Sequence, residues 1–363
     1  MSFTPVNISA SISEQTGQAH NNNALAFCVD DRYLPYALFV ATQFIEKHPV
    51  LPCDICICMP DISKVPQDFH GGNIRFIEIS IEGISEMPIG QLSLAAYYRL
   101  FLPKIFQDTY EYILYLDADT YINRPFYDEI LYCISNFKSE FCIAAAADIS
   151  ELQIRLNPTQ KLKKIEKYVS SYHEFNHIYR NSGVLVFNTD KYNKYGILEK
   201  IFSYANDNIE KLQCHDQSAL NGALINNIEL LPFNFNWQMH KLTYDLTESV
   251  NPYIIHFISE NKPWSLDNYL TKNYQQLYIS FLNKYFPSMN YSILTTEQKR
   301  IKSPKYSNPI REFISINNER LKKNLSKKNR KNHSNLEKIK LTKEVLVNLP
   351  FMLFTDHDAI NNN

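Results

Sequence analysis

Tyr112-Ile113-Leu114-Tyr115-Leu116-Asp117-Ala118-Asp119-Thr120-Tyr121-Ile122 is a run of strand-forming residues broken by two acids two positions apart. Side chains at i and i+2 of a strand share a face, so both carboxylates converge on one spot near its end. Two like charges that close raise each other's pKa unless a cation sits between them. Carboxylate oxygens suit hard divalent ions such as Mg²⁺ or Mn²⁺, which usually share such sites with substrate phosphates. Taken alone, an Asp-X-Asp is as often a polar turn with two solvated acids. Here the pair follows an apolar run directly, as though a buried strand delivered it to its open end, where α/β sheets bind ligands.

Upstream, Ala24 to Val29 reads as a first strand ending in Asp30-Asp31-Arg32-Tyr33. Leu34 to Lys47 has helical periodicity through Leu38, Ala41 and Ile45 and stops before Pro49. Asp54 to Met59 and Ile74 to Ile79 read as the next two strands. Strand–helix–strand with an acidic turn after the first strand opens a nucleotide-binding α/β half. The chain lacks Gly-X-Gly-X-X-Gly and Gly-X4-Gly-Lys-Ser/Thr, which argues against a dinucleotide fold and a P-loop. Leu94 to Phe106 reads as a helix that Pro103 kinks or divides. Arg99 on that apolar helix needs an acceptor or a path to solvent.

Downstream, Phe126 to Phe137 reads as a helix, and Phe141 to Ala147 as a buried strand ending in Asp148. Residues 150–177 are helical and charged, a lid or an insertion. Asn181-Ser182-Gly183 reads as a turn feeding a strand that runs to Asn188. His215 to Asn221 starts a helix, with Asp216 placed either to cap its N-terminus, the ordinary reading, or to face a ligand. Ile254-Ile255-His256-Phe257 is an apolar strand leading to Lys262-Pro263-Trp264. By itself, His256 on such a strand is more often a satisfied core residue than a ligand.

The 363 residues, 45% of them hydrophobic, accommodate one catalytic domain of about 250–280 residues plus an appendage. Residues 1–23 are polar, rich in Ser, Gln and Asn, and read as a loose leader. Net charge is −1, yet residues 299–343 hold fifteen Lys/Arg against Glu312, Glu319 and Glu337, leaving the remainder near −13. That basic stretch is interleaved with Ile310, Phe313, Ile314, Leu321 and Leu325 at near-helical spacing, which fits an ordinary solvated helical tail but reads better as a segment docking on an anionic membrane surface. No nucleic-acid module accompanies the charge, so nucleic acid is not an expected partner. Cys53-X-X-Cys56-X-Cys58 lacks a second Cys/His pair for zinc and reads as alternating strand residues. An odd count of seven cysteines without a secretory signal points to reduced thiols in the cytoplasm. No apolar run reaches the roughly 18 residues that span a bilayer, so a soluble or peripheral protein is expected.

Six pieces now stand in order: Asp30 with Tyr33, Tyr98-Arg99-Leu100, Leu116-Asp117-Ala118-Asp119, Asn181-Ser182-Gly183-Val184, Asp216-Gln217, and His256 with Lys262-Pro263-Trp264. Together they resemble glycosyltransferase family 8, the retaining GT-A enzymes that include bacterial lipopolysaccharide galactosyl- and glucosyltransferases. The resemblance spans about residues 24–270 and implies an α/β GT-A fold, a single Rossmann-like mixed sheet flanked by helices. Residues 271–363 would form a helical, basic region for membrane docking or acceptor contacts. It further implies that Asp117, Asp119 and His256 hold Mn²⁺ or Mg²⁺, and that Asp30, Tyr33, Ala118 and Lys262 bind the UDP part of a UDP-hexose donor. Asp30 would meet the uridine, Tyr33 the uracil ring and Lys262 the diphosphate. Arg99, Asp148, Asn181, Asp216 and Gln217 would surround the hexose, with Gln217 beneath the anomeric carbon. Gln217 is a poor nucleophile, which favours a front-face retaining route while leaving one through a short-lived covalent intermediate open. One position departs from the family pattern: Ser259 stands where Gly is common three residues after the metal histidine.

The expected activity is hexose transfer to a lipid-anchored oligosaccharide acceptor, the lipopolysaccharide core, by an enzyme peripheral on the cytoplasmic face of the inner membrane. The rival readings are the same chemistry on a protein or another polysaccharide, and a non-catalytic membrane-associated protein that binds sugar nucleotides.

Overall fold

The computed structural model describes residues 8–83, 95–156, 162–265 and 267–289, with Lys340 and Glu344. The basic stretch 299–343, apart from Lys340, lies outside the described residues. In chain order the first elements are β1 (Ser9–Gln15), β2 (Asn23–Cys28), α1 (Leu34–Lys47), β3 (Asp54–Met59), β4 (Ile74–Glu82), α2 (Ala95–Tyr98), α3 (Leu102–Ile105) and β5 (Tyr112–Leu116). There follow β6 (Thr120–Ile122), α4 (Tyr127–Asn136), β7 (Ile143–Ala147), α5 (Ile149–Leu156), α6 (Lys164–Ser171), β8 (Arg180–Asn188), α7 (Thr189–Lys194) and α8 (Ile197–Asp207). The last are α9 (His215–Ala223), β9 (Ile228–Leu230), β10 (Trp237–Gln238), α10 (Thr247–Val250), β11 (Ile254–His256) and α11 (Lys272–Tyr285).

Eight strands pair in the order β1-β4-β3-β2-β5-β8-β7-β9. β4, β3, β2 and β5 run parallel; β8 is antiparallel to both β5 and β7. The C-terminal ends of β2, β5 and β7 and the N-terminal end of β8 therefore share one edge of the sheet. Period-two alternation fills a core on each face. On β5, Leu114 and Leu116 enter one core while Ile113 and Tyr115 enter the other. β3 does the same with Ile55, Ile57 and Met59 opposite Cys56 and Cys58, so the cysteines of this strand pack as small hydrophobes, and all seven cysteines of the chain are free. The architecture is the expected mixed α/β sheet flanked by helices.

Two local expectations change. The polar leader contains β1, which pairs antiparallel with β4 from Ser9↔Glu82 to Gln15↔Ile77. Its sequence carries almost no apolar alternation because it is an exposed edge strand, joined in part through the Ser13 hydroxyl on the Glu78 carboxylate at 2.8 Å. As expected, the helical stretch over 94–106 is divided, here into α2, a 3-10 turn Arg99–Phe101, and α3. Pro103 sits in the first turn of α3, where its missing N–H has no partner to lose. The Asn181-Ser182-Gly183 turn is instead the opening of β8. α11 contributes Tyr278, Phe281 and Leu282 to the main core.

A smaller sheet, β10-β11-β6, leans on this frame. The aromatic layer behind it is dense: Trp264 stacks on Tyr36 of α1 at 3.7 Å and meets Tyr278 of α11 at 5.0 Å, while the Tyr278 hydroxyl donates to the Thr120 carbonyl at 2.8 Å. Among the described residues no helix is long and apolar enough to cross a membrane. Trp264→Ala empties a site between α1 and α11 and is expected to lower stability by about 3–5 kcal/mol. A urea titration should show this as a fall in midpoint at unchanged slope.

Candidate active site

At the shared edge, β5 hands over to Asp117, whose N–H donates to the Gly183 carbonyl at 2.8 Å. β2 hands over to Asp30, and β7 to Asp148 just past a register shift between Ala145 and Ala147, a bulge of the kind that re-aims side chains beside active sites. Asp117, Ala118 and Asp119 form the short turn between β5 and β6. β11 pairs antiparallel with β6, and the register His256↔Thr120 sets the histidine against that turn. A lone histidine on an apolar strand is thereby brought to the acid pair.

The ligand atoms of Asp117, Asp119 and His256 all lie within 4.8 Å of one another. His256 Nε2 is 3.2 Å from Asp119 Oδ1 and 3.9 Å from Asp117 Oδ2. Its Nδ1 meets Asn236 Oδ1 at 2.9 Å. An amide oxygen only accepts, so Nδ1 carries the proton and Nε2 turns its lone pair toward the two acids. Asp119 Oδ1 is buried without a hydrogen-bond donor. A Cβ on Gly183 would stand 2.2 Å from His256 Cε1 and 2.9 Å from Asp117 Oδ2, so only glycine lets β8 pass this close. Two carboxylates, one oriented imidazole and an unsatisfied buried oxygen fit a hard divalent cation.

Each acid also has its own cation. Arg99, nearly buried, places Nη1 2.8 Å from Asp117 Oδ1 and 2.9 Å from the Ser182 carbonyl. Its Nε donates to the Ala96 carbonyl at 2.8 Å and lies 3.5 Å from Asp216 Oδ2. Burial opposes its charge, but Asp117, Tyr115 and Asp216 together hold the guanidinium pKa well above the ordinary value. Tyr115 donates to Asp117 Oδ1 at 2.5 Å. Lys262 bonds Asp119 and the Phe257 carbonyl. Burial would raise the Asp119 pKa, yet Lys262 and His256 outweigh it and hold the carboxyl below its ordinary range. Asp216, within the first turn of α9 and 3% exposed, is pushed up by burial against the pull of Arg99. It faces the site and caps nothing.

Asp148, Asn181 and Gln217 form one buried network. Asn181 Nδ2 donates to Asp148 Oδ2 and to Gln217 Oε1, both at 3.1 Å. Gln217 Nε2 donates to Asp148 Oδ2 at 3.2 Å, and Gln217 Oε1 accepts from Ser182 N–H at 3.1 Å. Asn236 Nδ2 donates to Asn181 Oδ1 at 2.8 Å, which joins this network to the histidine.

All this opens on a cleft of about 910 Å³. Of the residues expected to act, Asp30, Tyr33, Arg99, Asp117, Ala118, Asp119, Asp148, Asn181, Asp216, Gln217 and His256 line it. Lys262 sits behind Asp119. The Asp30 carboxylate holds Arg32 at 2.7 Å and accepts the Tyr33 N–H at 3.2 Å, fixing the turn that presents Tyr33. Ser259 also lines the cleft at φ 58°, the left-handed backbone that favours glycine, which matches its being the departing position. Sequence reading missed Asn236 and Tyr115. An amide among Phe233-Asn234-Phe235-Asn236-Trp237 carries no motif, and the strand alternation places Tyr115 in a core, its hydroxyl bond being visible only in three dimensions.

The family described as glycosyl transferase family 8 matches residues 24–268, and the chain belongs to that family. It is 26% identical to the lipopolysaccharide 1,2-glucosyltransferase of Escherichia coli over 55% of this chain and 59% of that protein, so the match spans somewhat over half of that relative. It is 24% identical to general stress protein A of Bacillus subtilis over 63% of this chain and 74% of that one. Its fold resembles the galactosyltransferase LgtC solved with donor and acceptor sugar analogues, with a TM-score of 0.56 and 19% identity over 72% of this chain and 96% of that one. The fold is of the GT-A type.

If Asn236 orients the ligand face of His256, Asn236→Ala should weaken Mn²⁺ affinity by about 10–100-fold, and His256→Ala by at least as much. Calorimetric titration of Mn²⁺ into the protein alone reads both. An unchanged affinity accompanied only by a lower melting temperature would make His256 a core residue.

Proposed function

We propose that the protein is a metal-dependent retaining hexosyltransferase using a UDP-hexose donor. The observation that carries this reading is the Asp117–Asp119–His256 cluster opening on the same cleft as the Asp148–Asn181–Gln217 network, with one hydrogen-bonded chain through Asn236 joining them. Asp117, Asp119 and His256 would hold Mn²⁺ or Mg²⁺. A divalent ion there supplies charge stabilisation to a departing diphosphate.

The rest is the work of this chain's side chains. Tyr33 would stack on the uracil and Asp30 meet the uridine, with Ala118 leaving room beside the phosphates. Lys262 shares Asp119 with the cation site, so occupation of that carboxylate would release the ammonium toward the diphosphate. Arg99 and Asp216 would border the hexose with Asp148 and Asn181. Gln217 has both ends of its amide bonded, which fixes its carbonyl oxygen and keeps it uncharged. An uncharged amide beneath the anomeric carbon steadies developing positive charge without attacking it. The new bond from the acceptor oxygen then forms on the face from which the phosphate leaves. The acceptor proton passes to the leaving phosphate oxygen, and configuration is retained.

The match to a lipopolysaccharide glucosyltransferase supports a lipopolysaccharide core acceptor, and the basic composition of residues 299–343 supports docking on the cytoplasmic face of an anionic membrane. The catalytic domain would span residues 24–270, with β1 adding an edge strand to its sheet and α11 packing on its core, and the docking region would follow.

UDP release from UDP-glucose or UDP-galactose should require Mn²⁺ or Mg²⁺ and stop in excess EDTA. Asp117→Asn or Asp119→Asn should abolish it while the protein stays folded by circular dichroism. Activity at the wild-type rate in EDTA would sink the metal reading. Truncation after Glu297 should leave UDP-hexose hydrolysis intact and remove binding to anionic vesicles, which in the full chain should fall steeply with salt because screening shortens surface fields to about 8 Å at physiological ionic strength. Equal low-salt vesicle binding by both forms would remove the tail from this role.

A further inference from the structure

Tyr115 is a polar residue at the site for which the reaction as proposed has no use. It is 1% exposed, and a buried phenol needs some partner for its hydroxyl. A backbone carbonyl would meet that need at no cost to the site. The partner is instead Asp117 Oδ1 at 2.5 Å, a charge-assisted bond at the short, strong end of the range.

The same oxygen is taken a second time. Arg99 Nη1 lies 2.8 Å from Asp117 Oδ1, and the guanidinium carbon stands 4.8 Å from the centre of the Tyr115 ring, within cation–π reach. One side chain thus steadies Arg99 with its ring and fixes with its hydroxyl the carboxylate that Arg99 pairs with. A carboxylate oxygen offers a limited set of lone pairs, and on Oδ1 these two donors fill them. That leaves Oδ2, which faces His256 Nε2 at 3.9 Å in space that Gly183 keeps open, since a Cβ there would stand 2.9 Å from it.

Asp119 is held differently. Its Oδ1 is 3.2 Å from His256 Nε2, and its Oδ2 meets only Lys262, a point charge on a flexible four-carbon stem. One aspartate is clamped by two nearly buried groups of fixed shape, the other by a single adjustable one.

Such a clamp bears on which ion can bind. Ca²⁺ takes about six to eight oxygens in loose geometry and readily uses both oxygens of one carboxylate, whereas Mg²⁺ demands a near-ideal octahedron. Mn²⁺ also suits octahedral sites and is held more firmly by an imidazole nitrogen than Ca²⁺ is. A carboxylate with one oxygen closed off serves the octahedral ions and handicaps Ca²⁺.

We propose that Tyr115 is a positioning residue: with Arg99 it keeps Asp117 a one-oxygen ligand through Oδ2, and so sets the preference of the site for a small octahedral cation over Ca²⁺. The assignment rests on the metal reading above.

The test is calorimetric titration of Mn²⁺, and separately of Ca²⁺, into the full chain as wild type, His256→Ala and Tyr115→Phe. The last keeps the ring beside Arg99 and removes only the hydroxyl. Its Mn²⁺ affinity should fall about tenfold, as for loss of a group that orients a ligand, while its Ca²⁺ affinity holds or rises because Oδ1 reopens. The ratio of Mn²⁺ to Ca²⁺ affinity should therefore drop about tenfold. A role confined to packing would lower both affinities alike together with the melting temperature, and that result would overturn the proposal. An unchanged ratio, or a wild type that binds Ca²⁺ as tightly as Mn²⁺, would do the same. Mn²⁺ binding lost in His256→Ala but unmoved in Tyr115→Phe would leave the metal reading standing and remove the positioning role alone. No Mn²⁺ binding by the wild type would remove both. Should Tyr115→Phe fail to fold by circular dichroism, Arg99→Lys makes the same test, since it keeps the charge and loses the planar fork; the ratio must fall there too.

Discussion

The repulsion between Asp117 and Asp119 is the constraint the rest of the site answers. With ligand atoms inside 4.8 Å, two unit charges repel by roughly 3 kcal/mol at an effective dielectric near 20. The fold supplies one cation to each acid from a different direction, Arg99 from the segment after α2 and Lys262 from the loop after β11. The carboxylate oxygens left over turn inward to His256 Nε2. A binding position is thus built before any ligand arrives, and the two outer cations keep it from flying apart.

Orientation is passed along amides. His256 is fixed by Asn236, Asn236 holds Asn181, and Asn181 holds Gln217. None of these amides is charged, so the chain can be buried without the desolvation cost that ionised groups would incur. It couples the position of the Asp117–Asp119–His256 cluster to that of Gln217. Arg99 provides the same coupling from the other side, since one guanidinium touches Asp117, Asp216 and the Ser182 carbonyl.

The central strands were legible because they are buried on both faces: β3 and α1 run over the residues that alternation and periodicity predicted. The acid pair was legible because an apolar run delivers it. β1 was not, since an exposed edge strand pairs through backbone and serine hydroxyls and leaves no apolar pattern. Asn181-Ser182-Gly183 has turn composition but is strand, because the glycine serves closeness to His256 and not a turn. Asp216 could have capped α9 on sequence grounds; only the position of Arg99 decides otherwise. Residues 150–177 were legible as a charged helical segment, but the pairing of Gln153 with His240, 87 residues away, is a tertiary fact.

The Tyr278–Thr120 bond spans 158 residues, and His256 and Lys262 lie on the same late stretch of chain. At about 5–20 residues per second a ribosome releases that stretch roughly 8–30 s after the acid pair. During that interval the nascent chain holds both aspartates with Arg99 but without the histidine, the lysine or the aromatic buttress. The Asp117–Asp119–His256 cluster is therefore complete only once the chain has been made through His256. Because a ligand that binds only the assembled cluster stabilises only folds that contain it, any cation held there would favour chains made at least as far as His256 over shorter ones.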